Sequence, residues 1–167
     1  MKEKLTRKDV EKIQAEIDHR KLVLRPQILD AVREARAQGD LSENFEYYAA
    51  KRENGTNNSR IRYLERMLKN AVIIEDHSSS DEVGLNKTVT VYIEEDDEYE
   101  TYKIVTSIRG NSMKNLISIE SPLGKALLHH RVGDTVTIPV NETYSYDVNI
   151  REIQDADGED NDNIRAF

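Results

Sequence analysis

Apolar side chains recur every three or four positions through the first 71 residues, which is the period of an α-helix. The first series comprises Val10, Ile13, Ile17, Leu24, Ile28, Ala31 and Ala35. The second series is close to a strict heptad and comprises Tyr47, Ala50, Asn54, Asn57, Ile61, Leu64, Leu68 and Ala71. A regular heptad of this kind is typical of helices that pack along a seam. The pattern therefore predicts two long helices that contact each other lengthwise.

The two predicted helices are separated by a break at Gly39-Asp40. Each helix has roughly 30 residues and a length of about 45 Å. Because only a few residues connect them, they must fold back on each other as an antiparallel hairpin. We call the connecting residues, 39–43, the tip. Pro26 lacks an amide hydrogen and is expected to kink the first helix, and the seam becomes polar toward the tip, at Asn54 and Asn57.

The period changes in the second half of the chain. Five segments are rich in β-branched residues or alternate in polarity, which predicts strands over 88–93, 99–106, 116–119, 135–140 and 144–153. Ser121 followed by Pro122 predicts the start of a short helix that runs to about His129. The expected fold is α+β, with an antiparallel two-helix coiled-coil hairpin over 1–75 and a small β-sheet domain with one short helix over 85–154. Residues 76–84 are predicted to be a linker and residues 155–167 an acidic, flexible tail.

Composition excludes several classes of protein. The 167 residues include no Cys, so a disulfide framework and a thiolate metal site are excluded. No apolar run approaches the roughly 20 residues that span a bilayer. These features predict a cytoplasmic monomer with no membrane contact. Residues 1–75 carry 16 Lys and Arg against 13 Asp and Glu, whereas residues 76–167 carry 8 against 19, which suggests two modules with different partners.

The tip contains the candidate chemical site, Asp40 and Glu43. Two carboxylates could help to hold a hard cation such as Mg²⁺, whose remaining ligands are commonly water or phosphate. However, Asp-x-x-Glu before a helix is also a capping box, and residue types and spacing alone favour that interpretation. His129 and His130 are adjacent, so on a helix they point in different directions, and exposed helix-end residues are favoured over a shared metal site.

The segment from Ala35 to Lys51, ARAQGDLSENFEYYAAK, closely resembles the motif of the bacterial Gre transcript-cleavage factors. Further elements also resemble that family: Leu5-Thr6, Arg25-Pro26-x-Ile28, and SPLGKALL from Ser121 with the Val132-Gly133-Asp134 that follows. These elements keep the family order from about residue 5 to 153. The architecture expected from periodicity also coincides with the family's.

The resemblance implies a transcription elongation factor that binds bacterial RNA polymerase when the enzyme has backtracked. By this resemblance, a C-terminal domain similar in fold to FKBP docks at the mouth of the secondary channel. The helical hairpin enters the channel and stimulates cleavage of the nascent RNA. Mg²⁺ would be shared with the polymerase active centre, so the factor would lend carboxylates and would not itself be an enzyme. Contact with the RNA 3′ end, or with DNA, is expected inside the elongation complex, because a chain of net charge −8 binds free duplex weakly.

Site residues follow from the resemblance position by position. Asp40 and Glu43 would be the catalytic, metal-assisting acids. Further roles would be support of the tip by Asn44, Glu46 and Tyr47, RNA binding by Arg36 and Lys51, and polymerase binding by Ser121, Pro122 and Leu123. Arg52, which is not a matched family position, extends the same basic patch and is also expected to bind RNA. Tyr47 fits seam packing equally well, and Ser121 fits an ordinary helix cap.

The chain also departs from the family pattern. Phe45 and Tyr48 replace the commoner Ala and His, and residues 54–59 read Asn-Gly-Thr-Asn-Asn-Ser. Gly55 costs about 1 kcal/mol in a helix, and we expect this segment to add flexibility. The alternative function is therefore a secondary-channel binder that inhibits or modulates polymerase without cleavage. A prolyl isomerase is disfavoured, because aromatic residues line such a pocket, whereas the C-terminal half has no Trp and only one Phe, Phe167.

Overall fold

The structure is a computed structural model that describes residues 2–39, 44–155 and 164. The chain divides into two compact units. The first consists mainly of Arg7–Val72, and the second combines Lys4–Thr6 with the described residues from Ile73 to Asp155. Two short strands, β1 (Lys4–Leu5) and β2 (Val72–Ile73), pair as a two-stranded sheet.

The first unit is helical, as predicted. Helix α1 (Arg7–His19) continues through a π-helical turn (Arg20–Leu24) into α2 (Arg25–Ala37), and α3 (Phe45–Lys69) packs along both helices. The π turn lies directly before Pro26, where the sequence predicts a kink. A π turn is a common cause of helix distortion. Helix α3 begins at Phe45, on the C-terminal side of the break predicted at Gly39-Asp40.

The seam contains most of the predicted residues. Its buried apolar side chains are Ile13, Ile17, Ile28, Ala35, Tyr47, Ala50, Ile61, Leu64 and Met67. Two positions differ from the prediction: Ala31 is exposed and Leu68 only half-buried, whereas Val32 is half-buried and Met67 buried. In both cases the residue that faces the seam is one position away from the predicted one. A helical period of 3.6 residues permits a step of either three or four, so the pattern does not distinguish the two.

The second unit contains a five-stranded sheet with the order β5-β4-β3-β7-β6. The strands are β3 (Thr88–Ile93), β4 (Glu98–Val105), β5 (Leu116–Ser118), β6 (Thr135–Pro139) and β7 (Ser145–Gln154). Neighbours are antiparallel except β4 and β5, which are parallel. All five lie within a residue or so of the predicted strands, because their alternating β-branched residues fit a half-buried sheet.

One face of the sheet forms the core of this unit. Its buried residues are Val83, Val89, Val91, Ile104, Leu127, Val136, Ile138, Val148 and Ile150. The short helix α4 (Pro122–Leu127) contributes Leu127 and ends two residues before the predicted end. Val83 lies within the segment 76–84 expected to be a linker, yet it is fully buried and hydrogen-bonds to His130. The end of that segment is therefore part of the sheet unit.

Candidate functional site

Helix α2 ends immediately before the tip. The amide of Gln38 donates to the carbonyl of Ala35 at 3.3 Å, and Gly39 follows with φ of +118°. Residues other than glycine rarely adopt this backbone conformation. Glycine at position 39 therefore allows the chain to leave the helix.

Asn44 connects the two helices where α3 begins. Its backbone is extended, and its side-chain oxygen accepts a hydrogen bond from the amide of Tyr47 at 3.0 Å. Its side-chain NH₂ donates to the carbonyl of Ala35 in the last turn of α2. One side chain thus caps α3 and binds α2, so Asn44 secures the hairpin beside the tip.

The predicted catalytic acids, Asp40 and Glu43, lie outside the described residues, as do Leu41 and Ser42. Their role stays a prediction. The described residues on either side are Gly39 and Asn44. The capping-box interpretation required that the helix after the tip begin with Asp40 as its N-cap. The N-cap of α3 is instead Asn44.

Tyr47 lies in the seam and contacts a predicted RNA-binding residue. Its hydroxyl is 3.4 Å from Nη2 of Arg36, and the guanidinium lies 5.6 Å from the ring centroid. The hydrogen bond from Arg36, together with the charges of Lys51 and Arg36, holds the pKa of the Tyr47 hydroxyl below its usual value. The structure therefore gathers Arg36, Tyr47 and Lys51 in one cluster. It also places Tyr47 in the seam, the alternative that the sequence left open.

Other predicted residues near the tip face solvent. Arg52 and Glu46 are exposed, and Glu46 lies in the first turn of α3, where an acidic side chain is favourable. Phe45 and Tyr48 are also exposed, at 85% and 44%. Their bulk is therefore directed away from the seam.

Two asparagines of α3, Asn57 and Asn58, have specific hydrogen-bond partners that the heptad pattern did not identify. The Asn57 amide donates to the carbonyl of Arg20 at 3.1 Å, and its oxygen accepts from Nη1 of Arg20 at 2.9 Å. The oxygen of Asn58 accepts from Nε of Arg25 at 3.2 Å. Two side chains of the segment 54–59 are therefore bonded to the π turn and to α2, and the expectation that the segment adds flexibility stays a prediction. For Asn57 a signal was present, since a polar side chain buried in a heptad seam requires a polar partner.

An ionic cluster lies beside the π turn. Glu16 accepts hydrogen bonds from Nε of Arg20 at 2.7 Å and from Nε of the buried Arg60 at 2.8 Å. Burial opposes ionisation of Glu16, but the bonds from Arg60 and Arg20 outweigh it and hold the pKa of this carboxyl below its usual value. The cluster thus contributes a charged, directional contact between α1 and α3.

The predicted polymerase-binding residues lie at the start of α4. The Ser121 hydroxyl accepts from the amide of Gly124 at 3.0 Å and donates to the carbonyl of Ser118 at 2.7 Å. Pro122 is exposed, and Leu123 packs on the core. Ser121 also lines an open groove of about 390 Å³ with Ser107, Asn111, Leu116, Ser118 and Glu120. The cap is observed, whereas polymerase binding stays a prediction.

The two adjacent histidines lie beyond the end of α4 and contact different carboxylates. Nδ1 of His129 is 3.6 Å from Glu82, and Nδ1 of His130 is 3.2 Å from Asp134. Across the described part of the chain, no cluster of three or more His, Asp or Glu is arranged to hold a metal ion. Within the same residues, no helix combines the length and the apolar character that a membrane span requires.

Comparison with known proteins adds independent findings. Residues 3–73 match the family model described as transcription elongation factor, N-terminal, and residues 78–155 match the GreA/GreB C-terminal model. Transcription elongation factor GreA of Macrococcus caseolyticus is 43% identical over 89% of this chain and 94% of its own. GreA of Geobacillus kaustophilus is 45% identical over 80% and 85%. The crystal structure of GreA factor homolog 1 (Gfh1) of Thermus thermophilus matches at 26% identity over 93% of this chain and 100% of that one, with a TM-score of 0.43.

A helical hairpin followed by a sheet domain, each matching its own elongation-factor model, defines the class of protein as a transcription elongation factor. The chain belongs to the GreA/GreB family and is a factor of the GreA type. Membership of this family implies binding to RNA polymerase. The family resemblance stated from the sequence motifs is thereby confirmed.

Proposed function

We propose that this chain stimulates the intrinsic RNA-cleavage activity of RNA polymerase on backtracked complexes, with its hairpin inserted in the secondary channel. The observation that carries the proposal is the pair of hydrogen bonds made by the Asn44 side chain. Its oxygen accepts from the amide of Tyr47 in α3, and its NH₂ donates to the carbonyl of Ala35 in α2. Asn44 directly follows Glu43, so the segment with both acids is joined to a residue that is hydrogen-bonded to both helices. A fixed attachment point of this kind suits side chains that must reach a reacting phosphate.

Asp40 and Glu43 would act on a Mg²⁺ ion shared with the polymerase. Their donor chemistry fits, since Mg²⁺ prefers carboxylate oxygens and is usually bound by one or two of them together with water and phosphate. Two carboxylates leave most ligand positions to be filled by the polymerase and the RNA. When bound, such an ion lowers the pKa of attacking water and offsets charge that develops on the phosphate. The chain's own contribution is to bring two negative oxygens to that centre.

Arg36, Lys51 and Arg52 would contact phosphates of the extruded RNA. The Arg36 guanidinium contacts the Tyr47 hydroxyl, the charge of Lys51 acts on the same hydroxyl, and the Arg52 side chain is exposed. Ser121, Pro122 and Leu123 would belong to the surface that docks on the polymerase. The exposed Pro122 and the groove beside Ser121 support this assignment.

The test is a transcript-cleavage assay on a stalled, backtracked elongation complex with Mg²⁺. Wild-type protein should accelerate release of short 3′ RNA fragments. Asp40→Asn and Glu43→Gln, which keep shape and remove charge, should abolish this acceleration while binding to the polymerase persists. Glu53→Gln is the matched control, since it removes an exposed carboxylate from α3, outside the tip.

Asp40→Ala and Glu43→Ala separate this role from a structural one. Because Asn44 caps α3, both variants should stay folded, with a change in unfolding free energy within about 0.5 kcal/mol. Unfolding of either variant would show that the acid it removes is needed for the structure of the hairpin, as the capping-box interpretation holds. If wild-type protein fails to accelerate cleavage and instead slows RNA extension, the protein is an inhibitor of the polymerase and the proposal is wrong.

A further inference from the structure

Three side chains form a line along the outer face of α3 beside the tip. Phe45, Tyr48 and Arg52 occupy positions i, i+3 and i+7, which lie on one face of an α-helix. The seam residues Tyr47 and Ala50 lie on the opposite face and are buried. We call Phe45, Tyr48 and Arg52 the aromatic stripe.

The aromatic stripe contributes little to the packing of the hairpin. Phe45 is 85% exposed and Tyr48 is 44% exposed. The Tyr48 and Tyr47 rings meet edge to face, with centroids 5.4 Å apart. An aromatic side chain gains stability by burial, so folding alone does not account for two exposed rings in succession. Their placement next to the tip indicates an external ligand.

Small residues and positive charge continue the same face. Gly55 and Thr56 follow Arg52 by one turn, and nothing lies within 4 Å of the position that a Gly55 side chain would occupy. Lys51 lies on one flank of the face, and Glu46 and Glu53 lie on the other. A ligand along this face therefore meets two rings, then a cation, then an open stretch of helix.

We propose that the aromatic stripe binds single-stranded RNA, with unpaired bases stacked on Phe45 and Tyr48 and a phosphate paired with Arg52. Aromatic rings combined with cations are the usual means of holding single strands without sequence preference. Phe45 and Tyr48 are about 4.5 Å apart along the helix axis, comparable to the roughly 3.4 Å between successive bases of a strand. The inference rests on the proposed function, which would deliver an extruded RNA 3′ end to this part of the hairpin.

The test pairs a change in the protein with a change in the RNA. Backtracked complexes are prepared with either a normal or an abasic nucleotide at the extruded 3′ end, and the factor concentration for half-maximal cleavage is measured. With normal RNA, Phe45→Leu should raise this concentration about tenfold, because leucine keeps the apolar bulk but offers no ring to stack on. With abasic RNA, wild type and Phe45→Leu should be equal. Tyr48→Phe is the matched control, since it keeps the ring and should behave as wild type.

Each other outcome has a defined meaning. An equal loss by Phe45→Leu on normal and abasic RNA would show that the ring contacts the polymerase, and it would overturn the proposal. No loss on normal RNA would overturn it as well. Since Phe45 is exposed, circular dichroism should show the same helix content and melting for the variant and wild type.

A second readout separates failure of this inference from failure of the proposed function. 2-Aminopurine at the extruded 3′ position reports stacking as a loss of fluorescence, whether or not cleavage occurs. If wild-type protein does not stimulate cleavage but quenches this signal, and Phe45→Leu does not quench it, the RNA contact stands and the cleavage role fails. Absence of quenching by wild type would overturn the RNA contact itself.

Discussion

The Asn57 side-chain amide donates to the main-chain carbonyl of Arg20 at 3.1 Å, and the Asn57 oxygen accepts from the guanidinium of the same arginine. Arg20 begins the π turn, and its carbonyl also accepts from the amide of Arg25, five residues later. Pro26 has no amide hydrogen, so a regular α-helical ladder cannot continue through this turn. Asn57 thus donates a second hydrogen bond to the Arg20 carbonyl, at the place where the helical hydrogen-bond pattern is disturbed.

Asn57→Ala should lower the stability of the hairpin by about 1–2 kcal/mol, because two part-buried hydrogen bonds are lost. The measurement is hydrogen exchange of amides in α1 and α3, which isolates the helical unit from the sheet unit. Asn58→Ala is the matched control, with the same gain in helix propensity and the loss of one hydrogen bond, to Arg25. Equal destabilisation by the two variants would show that Asn57 has no special role at the π turn.

The hairpin and the sheet could be predicted from the sequence because both depend on simple periodicities. The five strands of the large sheet and both long helices follow from the spacing of apolar residues, whereas the two-residue strands β1 and β2 were not predicted. The shifts from Ala31 to Val32 and from Leu68 to Met67 could not be predicted, since both steps fit the helical period. The π turn was also missed, because Pro26 indicates a distortion without specifying its geometry.

Prediction of the candidate site depended on the family motif more than on residue chemistry. The spacing of Asp40 and Glu43 alone favoured a capping box, whereas the structure assigns the cap of α3 to Asn44. The bond from Asn44 to Ala35 joins residues nine positions apart through a main-chain carbonyl. Sequence patterns record side-chain types, so a partner of this kind leaves no direct signal.

The ionic cluster at Glu16 should make the hairpin sensitive to acid. The pKa of Glu16 is lower in the folded chain than its usual value, so the unfolded chain binds a proton more readily. The cluster's contribution is therefore fully present above the unfolded pKa of about 4.3 and is lost as the pH falls through the lower, folded value.

Glu16→Gln should lower the unfolding free energy of the hairpin by about 2 kcal/mol at pH 7, since hydrogen bonds to charged partners are lost. The difference from wild type should shrink as the pH falls below about 4. Thermal unfolding followed by helix signal from pH 7 to 2.5 measures both quantities. Glu11→Gln, an exposed carboxylate on the same helix, is the control. A difference independent of pH would assign the effect to packing instead of charge.

Asn44 offers a way to separate its two hydrogen bonds. Asn44→Asp keeps an oxygen for the Tyr47 amide but has no NH₂ to donate to the Ala35 carbonyl, whereas Asn44→Ala loses both contacts. Asn44→Ala should expose the first-turn amides of α3 to exchange and cost about 1 kcal/mol for the cap. Asn44→Asp should leave those amides protected.

The cleavage assay then shows which contact matters for function. If the cross-link to α2 places the tip, both Asn44 variants should reduce the maximal rate of stimulated cleavage about tenfold, which corresponds to about 1.4 kcal/mol. A reduction by Asn44→Ala alone would assign the effect to the helix cap. Full activity of both variants would contradict a role for Asn44 in placing the acids.

Gly39 and Gly55 form a matched pair for a test of the backbone beside the tip. Nothing lies within 4 Å of the position of an added Cβ at either glycine, so the two substitutions to alanine differ in conformation alone. Gly55 is in the interior of α3, where alanine is favoured by about 1 kcal/mol. Gly39 has φ of +118°, which alanine adopts only with strain of about 1–3 kcal/mol.

Gly55→Ala should therefore raise the melting temperature of the hairpin, and Gly39→Ala should lower it or force the chain after α2 into another path. In the cleavage assay, Gly39→Ala should be impaired because the path into the tip changes. Gly55→Ala should stiffen α3 without changing the path into the tip, so its cleavage activity should equal that of wild type. Impairment by Gly55→Ala despite its higher stability would mean that flexibility of α3 is itself required for activity.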